Sequence, residues 1–173
     1  MIKEQLPKIA LGGGCHWCTE AVFSSLLGVY NVEQGFVSST RDNTNFSEAI
    51  TLKYKPEIIS LKTLVNIHLI THKSTSYHSF RKKYRSLFYV YSSNQKKEIE
   101  EIIIALQSNF TKPIITKVHP FSEFKPSKEE FKNYYYNNPN KPFCKTYITP
   151  KLQMLLRTFS KQINTKKLPY EKH

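Results

Sequence analysis

Three consecutive glycines, Gly12-Gly13-Gly14, stand directly before Cys15-His16-Trp17-Cys18, and no other segment limits the fold of this chain as strongly. Residues 8–11 read as a short strand running into the glycines. A helix is expected from about residue 16 to residue 27, stopped by Gly28. The glycines allow a strand-to-helix turn with backbone conformations that other residues resist. Cys15 then falls at the helix N-terminus, where unpaired N–H groups and the helix dipole favour an anion, so its thiolate is expected to be stabilised. Cys18 lies one helical turn further on, within disulfide reach. Two blander readings stand beside this one: a buried pair of inert cysteines, or half of a zinc site. Zinc needs two more ligands at similar spacing; no second Cys-x-x-Cys is present, and the His68/His72 pair falls on an otherwise apolar helix stripe that reads as packing, so no metal is expected. The spacing also suits a thioredoxin-like oxidoreductase using the Cys15/Cys18 pair. Against that reading, no proline lies between the cysteines, and glycines rather than aromatic residues precede them.

The remaining pattern alternates strands and helices. Strands are expected at residues 29–37, 48–54, 86–91 and 114–118. Ser60 is a candidate N-cap for a helix whose stripe is Leu61, Leu64, Val65, His68, Leu69 and His72. Ser92 with Gln95 resembles a capping box before the apolar face Ile99, Ile102, Ile103 and Leu106. Helices are expected at residues 128–136 and 151–163. The order is mixed α+β, with crossovers long enough for some parallel pairing. His68 and His72 fit core packing better than metal ligation.

The chain has 173 residues and a formal net charge of +13, which fits one domain with a sizeable core. Its longest aliphatic run is five residues, so no transmembrane helix is expected. Met1 to Pro7 shows no secretory leader, and three cysteines do not make a disulfide scaffold. A cytoplasmic location follows as an expectation. Lysine dominates the excess, 22 against 4 arginines, which weakens a case for specific nucleic-acid recognition. Residues 73–97 carry seven basic residues and no acid. The basic residues after Pro150 read as a terminal helix and tail outside the site.

At this point the chain resembles the peptide methionine sulfoxide reductase A family. Gly14-Cys15-His16-Trp17-Cys18 followed by Thr19-Glu20-Ala21 is similar to its Gly-Cys-Phe-Trp-Cys signature. Leu27-Gly28-Val29, Ser47-Glu48-Ala49-Ile50, Tyr54-Lys55-Pro56, His72, Tyr84-Arg85-Ser86, Asn138-Pro139-Asn140, Pro142-Phe143-Cys144 and Pro150-Lys151-Leu152 follow in the family's order.

The resemblance implies a single-domain, two-layer α/β sandwich of ferredoxin-like, methionine sulfoxide reductase A type. Residues 1–150 would form the catalytic domain and residues 151–173 a basic C-terminal helix and tail. It implies reduction of methionine-S-sulfoxide, in proteins or as the free amino acid. No metal or organic cofactor is required, and thioredoxin or another dithiol acts as external reductant. Cys15 matches the nucleophile, which becomes a sulfenic acid. Glu48 matches the acid, Tyr84 a hydroxyl donor to the sulfoxide oxygen, and Trp17 a wall of the methyl pocket. Helix spacing favours Cys18 as the resolving thiol, with Cys144 as the alternative. His16 stands where the family usually has Phe, and a cationic His16 would further stabilise the Cys15 thiolate. Phe36 stands where a second hydrogen-bonding Tyr is usual. The loop between His72 and Tyr84 is shortened, and His78 or Ser79 are candidates for its role. The expected partners are sulfoxide-containing substrates and thioredoxin, with no nucleic acid or membrane, for a monomeric enzyme. The alternatives are the thiol-disulfide oxidoreductase and a basic RNA- or membrane-associated protein that has lost activity.

Overall fold

The glycine run ends the first strand of a six-stranded mixed sheet. A computed structural model describes residues 5–78 and 80–169. The strands are β1 (Lys8–Gly12), β2 (Val29–Ser38), β3 (Ser47–Tyr54), β4 (Leu87–Val90), β5 (Lys117–Pro120) and β6 (Glu123–Pro126), and the helices are α1 (His16–Ser24), α2 (Leu61–Thr71), α3 (Ser93–Leu106), α4 (Tyr134–Asn137) and α5 (Thr149–Thr158). The sheet order is β5-β4-β1-β3-β2-β6. All pairings are antiparallel except β4 with β5, which α3 joins as a crossover.

Strand alternation separates the two faces. Ile9 and Leu11 of β1, Ile50 and Leu52 of β3 and Phe88 and Val90 of β4 join the large core with α1, α2, α3 and α5. Ala10, Ala49, Leu87 and Tyr89 point the other way, into a small cluster covered by Phe121 and Phe124. The fold is therefore α+β in two layers, as expected. Glu48 and Phe36 are register partners across β3 and β2. Glu48 lies two residues before Ile50 and so faces the helices at the end of the sheet where α1 begins.

Local chemistry explains most boundaries. The Ser60 and Ser92 side chains accept from Thr63 N–H and Gln95 N–H, each at 3.1 Å, as N-caps. Gln95 does not return to the Ser92 N–H: it accepts from Tyr91 N–H and donates to the Lys8 carbonyl, tying α3 to β1. Five expectations are corrected. α1 stops at Ser24, because Leu26 bridges Ile163 and the Leu27 N–H bonds Gln162. Gly28, at φ +82°, instead turns the chain into β2. The strand expected at 114–118 starts at Lys117, since the Ile114 and Ile115 N–H groups are taken by Gln107 and Ser74. The helix expected at 128–136 is broken at Asn133, at φ +55°, into the 3₁₀ turn Glu129–Phe131 and α4. The helix expected at 151–163 is α5, preceded by the π-helical stretch Cys144–Ile148 and carrying Pro150 in its first turn. Tyr84 lies in the turn before β4.

β6 was absent from the sequence reading. It is four residues long, ends in proline, and pairs with β2 where Gly35 has no side chain. A Cβ on Gly35 would lie 2.1 Å from the Lys125 carbonyl oxygen. In the C-terminal half, Leu152, Leu155 and Leu168 are buried in the large core. Buried Glu20 of α1 accepts from the Gln34 amide at 2.8 Å and from the backbone N–H groups of Asn133 and Tyr134 at 3.1 and 3.3 Å.

Glu20→Ala leaves these donors unpaired. It should cost about 2–3 kcal/mol in urea unfolding and selectively deprotect the amides of residues 133–137 in hydrogen exchange. A second expectation concerns acid. Burial holds His68 neutral, with its pKa lowered to about 4 from 6.5. The unfolded chain therefore binds more protons between those values, so stability falls with pH through that window by about 3 kcal/mol from this residue. A His68→Gln variant should show a correspondingly shallower loss between pH 6.5 and 4 in urea melts.

Candidate active site

Two histidines and an arginine hold the glycine turn that presents Cys15. His68 Nε2–H donates to the Gly12 carbonyl at 2.8 Å. Arg81 Nη1 donates to the Gly13 carbonyl at 2.8 Å and to the Tyr84 carbonyl at 2.9 Å. The His72 ring lies against the Gly13 α-carbon, where a Cβ would be 2.4 Å from it. His72 Nδ1–H donates to the His68 carbonyl, and its Nε2 accepts from the Ser86 hydroxyl at 2.7 Å. These histidines serve the backbone. Among the described residues, no three His, Cys, Asp or Glu side chains gather as a metal site.

Cys15 is the N-cap residue of α1 and is half-buried. Its pKa is lowered, first by a hydrogen bond with the Cys18 thiol and then by the backbone N–H groups of Trp17 and Cys18. Burial and the nearby Glu48 carboxyl oppose this. Cys18 is driven strongly upward by the same hydrogen bond and by burial, so it stays a thiol. Cys144 is fully buried in the π-helical stretch, and its pKa is raised by burial. It lies close enough to influence Cys18 electrostatically.

Glu48 is 8% exposed. Burial raises its pKa, while Lys83 and the Tyr84 hydroxyl draw it back. Its Oε2 is buried without a hydrogen-bond partner. The turn carrying Tyr84 is tied to the start of β3: Glu48 N–H and Ser47 Oγ both donate to the Lys83 carbonyl, at 3.1 and 2.7 Å. Lys83 lies 5.1 Å from the Tyr84 ring centre.

A cleft of about 600 Å³ opens beside the sulfur. Gly14, Cys15, Cys18, Tyr84 and Phe143 line it, with Lys73 and Lys151 among its cations. Lys151 thus corrects the expectation that all the basic residues after Pro150 lie away from the site. Its ammonium donates to the Thr71 carbonyl at the end of α2. His78 also lines the cleft; Ser79 lies outside the described residues.

Glu48, His16, Trp17 and Phe36 are not on the lining of this cleft. Trp17 stacks on Tyr134 at 4.0 Å and meets Phe131 and Phe143, so its ring joins α1 to the C-terminal segment. Phe36 is 37% exposed and meets the His16 ring edge-on at 5.2 Å. His16 does not act as a cation toward Cys15. Burial lowers its pKa, and its ring nitrogens lie against the Gly35 carbonyl and Glu48. Sequence reasoning missed Arg81, Lys83 and Glu20. The first two sat inside the basic run 73–97, where no single residue stood out from the others, and Glu20 was only one letter of a motif.

The arrangement pairs a sulfur whose pKa is lowered with a buried carboxyl whose pKa is raised. The peptide methionine sulfoxide reductase family model matches residues 7–164. A peptide methionine sulfoxide reductase MsrA of Trichodesmium erythraeum is 34% identical, covering 92% of this chain and 99% of its own. The fold is similar to that of Saccharomyces cerevisiae Mxr1 in reduced form, at TM-score 0.71 and 24% identity, covering 81% of this chain and 90% of that one. It is also similar to Mxr1 in complex with Trx2, at TM-score 0.58 and 23% identity, covering 71% and 81%. A thiol at the head of α1, an acid at the edge of β3 and a match over nearly the whole length agree: the chain belongs to the peptide methionine sulfoxide reductase family.

Proposed function

We propose that Cys15, Glu48 and Tyr84 carry the methionine sulfoxide reduction of this family, with Cys18 as the resolving thiol. The observation that carries this reading is the pairing of two opposite charge preferences. Cys15 is stabilised as thiolate by the Cys18 thiol and the α1 amides, beside a carboxyl whose pKa burial raises. The thiolate attacks the sulfoxide sulfur and Glu48 protonates the oxygen. Methionine leaves and Cys15 becomes a sulfenic acid. Tyr84, on the cleft wall, donates its hydroxyl to the oxygen. Phe36 offers no second hydroxyl.

The sulfenic acid condenses with a neighbouring thiol. Cys18 already hydrogen-bonds the Cys15 sulfur, which supports it over Cys144. Thioredoxin or another dithiol then reduces the disulfide by exchange. The Trx2 complex of the related yeast protein supports thioredoxin as donor. The S epimer as substrate, a monomeric state, a cytoplasmic setting and a cycle without prosthetic group belong to the same proposal. The cations Lys73 and Lys151 at the cleft favour sulfoxides in acidic peptide segments.

With dithiothreitol as reductant, Cys15→Ser should abolish methionine formation from the S epimer, and Glu48→Gln should lower it about 10²–10⁴-fold. Full activity in either would remove that residue from its role. Mass analysis after one turnover should find sulfenic acid in Cys18→Ser and a disulfide in Cys144→Ser; the reverse would assign resolution to Cys144. The pH midpoint for Cys15 alkylation should lie below that of an ordinary thiol. It should rise in Cys18→Ala, which removes the hydrogen bond that lowers it most.

A further inference from the structure

His16 follows the nucleophile in sequence, yet its side chain belongs to the sheet. It is 5% exposed. Nδ1 lies 2.8 Å from the Gly35 carbonyl oxygen, and Nε2 lies 3.1 Å from Glu48 Oε1. A carbonyl can only accept, so Nδ1 carries a proton. A neutral imidazole then has a lone pair at Nε2, and its hydrogen bond with Glu48 requires the carboxyl to be protonated. The other distribution puts the proton on Nε2 and leaves a carboxylate. Either way one proton lies between the two groups. Without it, two lone pairs face each other at 3.1 Å in a buried site, a costly arrangement.

We propose that His16 is a positioning residue that forms a one-proton pair with Glu48, keeping the acid loaded and its carboxyl oriented with Oε2 unpaired. The proposal deepens the reading above and rests on Glu48 being the acid. The groups facing the pair are Cys15 from the start of α1, Lys83 and Tyr84 from the turn before β4, and the Gly35 carbonyl and Phe36 ring from β2. Burial favours the neutral form of both partners, and Lys83 further disfavours a cationic His16. Burial, against the pull of Lys83 on the carboxylate, thus shifts the shared proton toward Glu48.

The consequence for the reaction can be written in full. As the Cys15 thiolate attacks, the proton passes from Glu48 to the sulfoxide oxygen. The substrate S–O bond breaks and an S–O bond to Cys15 forms. The substrate sulfur gains the two electrons that the Cys15 sulfur gives up. Glu48 is left a carboxylate facing a neutral imidazole, and that unfavourable contact draws the next proton from solvent. Phe36, with no hydroxyl, cannot hydrogen-bond the carboxyl, so His16 supplies the partner on this side.

The test uses the reduced full-length protein. Nitrogen-15 NMR should show His16 with its proton on Nδ1 and an accepting Nε2, and one titration step shared with the Glu48 side-chain carbon. An Nε2–H tautomer, or two independent steps, would overturn the pair, and this arm needs no variant. In single-turnover methionine formation, the alkaline limb of the wild type should coincide with the shared step. In His16→Phe the limb should move to lower pH by about one unit, giving about a tenfold slower turnover above it. A limb that stays in place or moves upward counts against the pair. Failure of the underlying reading looks different: Glu48→Gln would then turn over at the wild-type rate, whatever tautomer His16 holds.

Discussion

Two carbonyl oxygens, those of Gly12 and Gly13, decide where the Cys15 sulfur can be. A strand that ends and turns into a helix leaves backbone acceptors without ladder partners, and buried acceptors must be satisfied. Here His68 serves Gly12 and Arg81 serves Gly13, while the His72 ring fills the space a side chain at Gly13 would need. The three groups come from α2, its C-terminal end and the turn before β4. The nucleophile is thus positioned by parts of the chain more than fifty residues away. Arg81 also donates to the Tyr84 carbonyl, so one guanidinium fixes both the sulfur's turn and the backbone of the hydroxyl donor opposite it.

With the turn fixed, the site solves an electrostatic conflict. A thiolate raises the pKa of a nearby acid, and an acid that ionises raises the pKa of the thiol. The structure gives the two groups different surroundings. Cys15 sits on the α1 N–H groups and accepts from Cys18, which favours charge. Glu48 sits among buried side chains with one oxygen unpaired, which disfavours it. Lys83, exposed at the rim, attracts both. Its influence on the buried carboxyl is smaller than that of burial, so the carboxyl pKa stays raised.

The glycine turn, the α1 N-terminus, the Ser60 and Ser92 caps and the faces of β1, β3 and β4 were legible in the sequence, because each rests on local conformation or on a period of two or 3.6. The failures share a cause. β6 exists only because Gly35 admits the Lys125 backbone. The helix expected at 128–136 breaks at Asn133, whose N–H, with that of Tyr134, is claimed by Glu20 from α1. Residues 114–115 spend their N–H groups on Gln107 and Ser74. In each case a tertiary partner outbids local preference. The same holds within the site. Cys15 could be chosen from its place before a helix, but the orientation of His16 depends on the Gly35 carbonyl, nineteen residues away.

The third thiol shows how the scaffold limits the chemistry it carries. Cys18 meets Cys15 within one helical turn, and the two already share a hydrogen bond. Cys144 is carried by the C-terminal segment, which is pinned to α1 by Glu20 through Asn133 and Tyr134, by the Tyr136 hydroxyl on the Ala21 carbonyl at 2.6 Å, and by the Trp17 stack. Any transfer of the disulfide toward Cys144 has to loosen its own surroundings, which include the π-helical stretch Cys144–Ile148 with its wider turn. Trp17 lies between the two cysteines in sequence and stacks on the segment holding the third. The contact that anchors Cys144 near the site is therefore also the one that a second exchange would have to disturb.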